Sequence, residues 1–132
     1  MKTQVTFRSD MFPPYDGEEE EINPGLWGKR LAEYLVEKLG AKGVGTDGYV
    51  TEDWGCYVPV TVNGTPLAVC CGHHDDDDDQ FLCFTEPATP VVRKLFRKVD
   101  LTEPLGRLVA VLDEILTADP GIREVVWEEP GR

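Results

Sequence analysis

Two alternating apolar runs joined by Asn63-Gly64 constrain this chain more than any other feature in it. Residues 54–62 (WGCYVPVTV) and 65–71 (TPLAVCC) read as strands, and Asn-Gly tolerates the positive φ that a two-residue hairpin turn demands. Such a turn sets the pairing: Val62 faces Thr65, Val60 faces Leu67 and Cys56 faces Cys71. The pair flanking the turn is hydrogen-bonded, so Pro59 and Pro66 fall at non-bonded sites and neither proline removes a bond from the ladder. Pro59 also implies that its strand is an edge on its other side, at least locally. Trp54, Cys56, Val58, Val60, Val62, Leu67, Val69 and Cys71 then share one face, which is expected to be core.

The other elements are predicted around this hairpin. Val5 and Phe7 alternate with polar neighbours as a short first strand, and Phe81 to Phe84 carry apolar groups on both faces, as a central strand does. Asn23 as N-cap and Pro24 as first helical residue predict a helix bearing Leu26, Trp27, Leu31, Tyr34, Leu35 and Leu39, with Gly40 as its stop. Thr89-Pro90 predicts a short helix with Val91, Val92, Leu95, Phe96 and Val99, whose Arg93, Lys94, Arg97 and Lys98 form the chain's basic cluster. Thr102 is expected to cap a third helix with Leu105, Leu108, Val109, Leu112, Ile115 and Leu116 on its apolar stripe. Asp119-Pro120-Gly121 makes a turn into a last strand, Ile122 to Trp127, while glycine-rich residues 41–53 show no clear pattern. At 132 residues the chain has the size of one domain. The expected fold is α+β: a mostly antiparallel four- to five-stranded sheet with two or three helices packed on it, in the order β-α-β-β-β-α-α-β.

Charge sets the class of partner. Twenty-five acidic residues against thirteen basic ones leave a formal charge of −12. Such a field repels phosphate backbones and anionic membranes and speeds encounter with cationic proteins. Direct nucleic-acid or membrane binding is therefore not expected, and a basic protein is the expected partner. The N-terminal residues show no apolar run of signal-peptide length, and no stretch nears the roughly 20 apolar residues of a membrane helix. Cys56, Cys70, Cys71 and Cys83 are accordingly expected as reduced, buried thiols of a cytoplasmic protein.

No catalytic constellation stands out. Ser9 is the single serine, His73 and His74 the only histidines, and no phosphate loop, dinucleotide fingerprint or nucleophile elbow occurs. Cys70-Cys71-Gly72-His73-His74 followed by Asp75 to Asp79 invites a metal reading. Neighbouring cysteines on a strand point to opposite faces, however, and the aspartate run lacks the alternating ligands and central glycine of a calcium loop. Neither a metal nor a cofactor is expected. What remains are two dense anionic loops, Asp16 to Glu21 and Asp75 to Asp79, each expected to be a solvated excursion with aromatics nearby. Anionic loops beside aromatic anchors suit docking into a basic cleft, with carboxylates occupying phosphate sites. Asp16, Glu18, Glu19, Glu20, Asp75, Asp76, Asp77 and Asp78 are the expected steering and rim contacts. Phe12 and Tyr15 are the candidate anchors, because aromatics concentrate interface energy.

Residues 23–35 (NPGLWGKRLAEYL), with Glu52-Asp53-Trp54-Gly55 downstream, resemble a family of small uncharacterised bacterial proteins. The resemblance extends through Phe81 to Asp100 and to Val126-Trp127, and implies a bacterial origin with no assigned chemistry. By size, acidity and type, though not by motif, the chain is also similar to the immunity proteins of contact-dependent and other interbacterial toxin systems. The combined expectation is a non-catalytic, immunity-type inhibitor that occludes the active site of a cationic toxin such as a nuclease. A metal- or ligand-binding housekeeping domain is the alternative.

Overall fold

The computed structural model describes residues 1–21, 23–74, 76–87 and 101–130. Its elements are β1 (Gln4–Ser9), α1 (Glu18–Glu21), α2 (Lys29–Ala41), β2 (Gly45–Thr46), β3 (Val50–Glu52), β4 (Gly55–Val62), β5 (Thr65–His73), β6 (Gln80–Pro87), α3 (Thr102–Ala118) and β7 (Ile122–Glu128). All seven strands join one antiparallel sheet in the order β2-β4-β5-β6-β1-β7, with β3 also paired to β4. The fold class is the α+β antiparallel architecture expected from the sequence, with a wider sheet.

The hairpin β4–β5 has the expected register throughout, from Val62 opposite Thr65 to Cys56 opposite Cys71. Asn63 and Gly64 both adopt positive φ, 51° and 80°, as the turn requires. The two additional strands come from residues 41–53, which lack an apolar pattern because they only cover the outer edge of β4. β2 pairs with Val60 and Thr61, and β3 with Gly55, Cys56 and Tyr57. Val58 and Pro59 lie between those ladders, so the edge that Pro59 implies is real and local.

Helices α2 and α3 pack on one face of the sheet and on each other. Val5, Phe7, Val58, Val69, Phe81 and Cys83 meet Leu31, Leu35, Leu39, Leu108, Leu112 and Leu116 there, all essentially without solvent exposure. The spacing of these leucines is the three-to-four-residue stripe that a helix needs to bury one side.

Several local expectations are corrected. α2 begins at Lys29 with Gly28 as its N-cap, not at Asn23-Pro24. Asn23 to Leu26 instead form a tight turn through Gly25, whose φ is 77°, closed by the Leu26 N–H donating to the Asn23 carbonyl. The helix ends one residue past Gly40, and Gly43, at φ 81°, turns the chain away. α3 starts after Leu101 without a side-chain cap, so Thr102 stands inside it. Trp54 leaves the core face and is 40% exposed. It occupies the turn between β3 and β4, and Gly55, at φ 149°, breaks the strand alternation before it. The helix predicted at Thr89 to Val99 lies outside the described residues.

Candidate interaction surface

Antiparallel topology brings the two acidic segments to the same end of the sheet. β1 ends there at Ser9 and β5 at His73, while β4 starts there at Gly55, β6 at Gln80 and β7 at Ile122. The chain that leaves β1 carries residues 16–21, and the connection from β5 to β6 carries residues 75–79.

Three backbones converge beneath them. A Cβ on Gly28 would stand 3.0 Å from the Cys71 carbonyl oxygen, and one on Gly55 only 2.5 Å from the same atom. Only glycine permits that approach, and at Gly55 the positive φ adds a second reason. The Trp27 carbonyl then accepts the His73 N–H at 2.7 Å, continuing the edge of β5 where β4 has ended. The first segment is thereby tied to the hairpin before any side chain is counted.

Glu18 is the inward member of its segment. It is 1% exposed. Its Oε2 accepts the backbone N–H groups of Gly28 and Lys29 at 2.8 and 2.9 Å, and Oε1 accepts that of Tyr15 at 2.9 Å. A carboxylate there satisfies two orphan donors at the start of α2 and meets the positive end of the helix dipole. The segment is therefore not the wholly solvated excursion expected. α1 is a single turn that delivers this side chain.

The neighbours of Glu18 point outward. Tyr15 is 37% exposed. The Arg30 guanidinium lies 3.9 Å from its ring centroid, and its hydroxyl donates to Glu33 at 2.6 Å. That hydrogen bond, followed by desolvation, raises the Tyr15 phenol above its ordinary value. Tyr49 donates to the other oxygen of Glu33 at 2.9 Å, and its phenol is raised mainly by desolvation. Glu19 is half-buried and accepts the Gly25 N–H, while Asp16 and Glu20 are exposed. Tyr15, Asp16, Glu19 and Glu20 line an open pocket of about 420 Å³ with Pro14 and Pro24.

The second segment is held through its ends. Asp79 accepts Arg8 at 2.7 Å and Arg123 at 2.5 Å, and Asp77 accepts Arg8 at 3.0 Å. Asp76 and Asp78 are exposed, and no ion pair with a described residue holds Asp16, Glu20, Asp76 or Asp78. Asp75 lies outside the described residues.

His73 ties the second segment to the turn that follows the first. Its ring lies parallel to that of Trp27 at 3.8 Å, with Nδ1 2.7 Å from the Gly25 carbonyl oxygen and Nε2 2.6 Å from that of Asp77. With both nitrogens facing carbonyl oxygens, His73 has no edge left for a metal ion. Among the described residues no group of three or more His, Cys, Asp or Glu side chains is placed to hold one.

The thiols stay in the core. Cys56, Cys71 and Cys83 lie side by side across β4, β5 and β6, all free and buried, as is Cys70 on the opposite face. Burial pushes Cys56 up to about 11 and Cys70 up to about 12, and raises Cys71 and Cys83 as well. Such thiols remain protonated near neutral pH and are poor nucleophiles.

Two expected contact residues are thus corrected. Phe12 is 3% exposed and packs edge-on against Phe7, Phe81 and Tyr34, so it anchors the loop to the core rather than a partner to the surface. Glu18 is spent on the helix start. Tyr15, Asp16, Glu19, Glu20, Asp76, Asp77 and Asp78 do assemble at one end. Sequence reasoning missed Arg8, Arg123 and Glu33 as the groups that hold them. The alternation of Arg8 with Phe7 was a usable signal, since it places that guanidinium off the core face.

No protein-family model, curated protein or solved structure matches this chain. No helix among the described residues is long and apolar enough to cross a membrane.

Proposed function

We propose that this is a non-catalytic binding protein of the immunity type, which neutralises a cationic toxin, such as a nuclease, in the cytoplasm by covering its active site. The observation that carries the reading is the gathering of both acidic segments at one end of the sheet, with Asp16, Glu20, Asp76 and Asp78 exposed there. Carboxylates so placed steer a basic protein into encounter and meet the arginines and lysines that line a phosphate-binding cleft. Arg8 and Arg123 hold the second loop in place, and His73 ties it to the Gly25 turn that follows the first, which lowers the ordering cost of docking. The metal-binding alternative loses its best ligand, because His73 is engaged at both ring nitrogens.

The test is functional capture. Immobilised protein is exposed to lysate of the source cells at low and high salt, and each basic protein retained at low salt is expressed alone and with this chain. A captured protein that arrests growth alone and is silenced by co-expression supports the reading. Reversal of Asp16, Glu20, Asp76 and Asp78 to lysine should then abolish protection. Protection that survives the reversal, or a captured protein that is harmless alone, overturns it.

A further inference from the structure

The face of the sheet opposite α2 and α3 carries an apolar groove beside the acidic end. Trp54, Leu82, Phe84 and His74 line it above the Gly72 backbone, enclosing about 370 Å³. Gly72 stands opposite Leu82 and beside Gly55, and the Trp54 and Trp27 carbonyls close over it, so backbone rather than a side chain bounds the groove there. The Trp54 ring centroid lies 6.2 Å from that of Phe84 at 40°. Trp54 nevertheless stays 40% exposed, although an indole of this size is among the most valuable groups to bury.

The chain segments that line the groove carry only acidic charge, and Arg8 on the neighbouring strand is taken up by Asp77 and Asp79. No lysine or arginine occurs between Lys42 and Arg93, while Asp47, Glu52, Asp53, Asp75 to Asp79 and Glu86 all fall in that stretch. Glu52 stands opposite Gly55, and Asp53 adjoins Trp54 in the β3–β4 turn. Both are exposed. An aromatic face bordered by carboxylates matches a planar cation with an apolar stem, which is an arginine side chain. A lysine ammonium satisfies the charge but cannot stack flat on the indole.

We infer that the Trp54–Phe84 groove is the anchoring pocket for an arginine presented by the cationic partner, with Glu52 and Asp53 pairing its guanidinium. The inference rests on the binding reading above and gives that partner a specific foothold. The acidic loops attract the partner, and the groove holds one of its side chains.

The probes are penta-arginine and penta-lysine peptides, titrated into 15N-labelled protein at physiological salt. The three indole N–H signals report separately on Trp27, Trp54 and Trp127. Penta-arginine should move the Trp54 signal and the amides of residues 70–74 and 82–84, and should bind at least about threefold tighter than penta-lysine. Trp54→Ala should weaken penta-arginine by about tenfold, and Trp54→Phe by less. An unmoved Trp54 signal in the wild-type protein, or equal binding by Trp54→Ala, overturns the groove. If a captured toxin binds Trp54→Ala with undiminished affinity, the groove falls while the inhibitor reading stands. If penta-arginine seats at Trp54 but no toxin is found, the groove stands and the inhibitor reading falls.

Discussion

Residues 16–21 and 75–79 are both dense runs of carboxylates with opposite fates. The first segment folds one carboxylate inward, where Glu18 accepts three backbone N–H groups. The second buries no described carboxylate and is held at the surface, where Asp77 and Asp79 are clamped by Arg8 and Arg123. The difference is in what each segment adjoins. The first precedes a helix whose opening N–H groups have no partner of their own, and a carboxylate is the strongest acceptor available to them. The second connects two neighbouring strands, whose ladder already satisfies their backbones. Acidity in the first segment is therefore partly structural, and in the second it is free for other uses.

Breaking the inward member should have the largest effect. Glu18→Ala strands three donors, that of Gly28 buried and those of Tyr15 and Lys29 half-buried, and is expected to cost about 3 kcal/mol, read as a lower urea midpoint at an unchanged slope. Glu18→Gln keeps one acceptor oxygen but sets an NH2 group against a backbone donor, so about 2 kcal/mol is expected. If Glu18→Ala unfolds at the wild-type midpoint, the two segments do not differ in the way described.

The clamp of the second segment should matter less. Asp79→Asn removes the charge shared by Arg8 and Arg123 at a quarter-exposed site, and about 1 kcal/mol is expected at low salt. That loss should shrink as salt is raised, because screening already weakens the pair in the wild type. The Glu18 effect should persist in salt, since its partners are neutral amides in a buried site. The salt dependence of the two variants is a sharper comparison than their size.

How much of this could be read from the residues depends on how local the determinant is. The β4–β5 register was legible because Asn63-Gly64 and the alternation of valines act within one hairpin. The burial of Phe12 was not, because its ring meets Phe7, Phe81 and Tyr34 from three distant elements. Glu18 is one of four consecutive glutamates, indistinguishable until the turn at Gly25 brings Gly28 over it. Trp54 was misplaced for a backbone reason: alternation assumes an ordinary strand, and Gly55 supplies a φ that ends it. Among the candidate contacts, the charges were legible as a set. Which of them turn inward was decided by backbone N–H groups around the start of α2, which the glutamate run itself does not reveal.

Alkaline titration gives a smaller effect, beside the first segment only. Tyr15 and Tyr49 both donate to Glu33, and both phenols are raised above their ordinary value. A raised folded value means that the stabilisation is fully present below the ordinary tyrosine range, near about pH 10, and is lost as pH rises through the folded value. Glu33→Gln should let these two tyrosines ionise at lower pH in an ultraviolet titration and leave Tyr34, which donates to Asp119, where it was. Equal movement of all three would mean that Glu33 acts through general charge rather than through its two hydrogen bonds.

The smallest stability effect should fall on Asp76 and Asp78, and that is where their importance for binding can be isolated. Both are exposed, and neither has an ion pair among the described residues, so the double variant Asp76→Asn with Asp78→Asn should change stability by less than about 0.5 kcal/mol. Their charge still adds to the field at the acidic end of the sheet, which governs how fast a cationic protein arrives more than how long it stays. Association with a basic partner should therefore slow several-fold at low salt, with a flatter salt dependence and a nearly unchanged dissociation rate. A variant that instead dissociates faster would place these aspartates in direct contact with the partner, as the first segment's exposed Tyr15 is placed to be. Unchanged kinetics in both directions would leave the second segment with a purely solvating role.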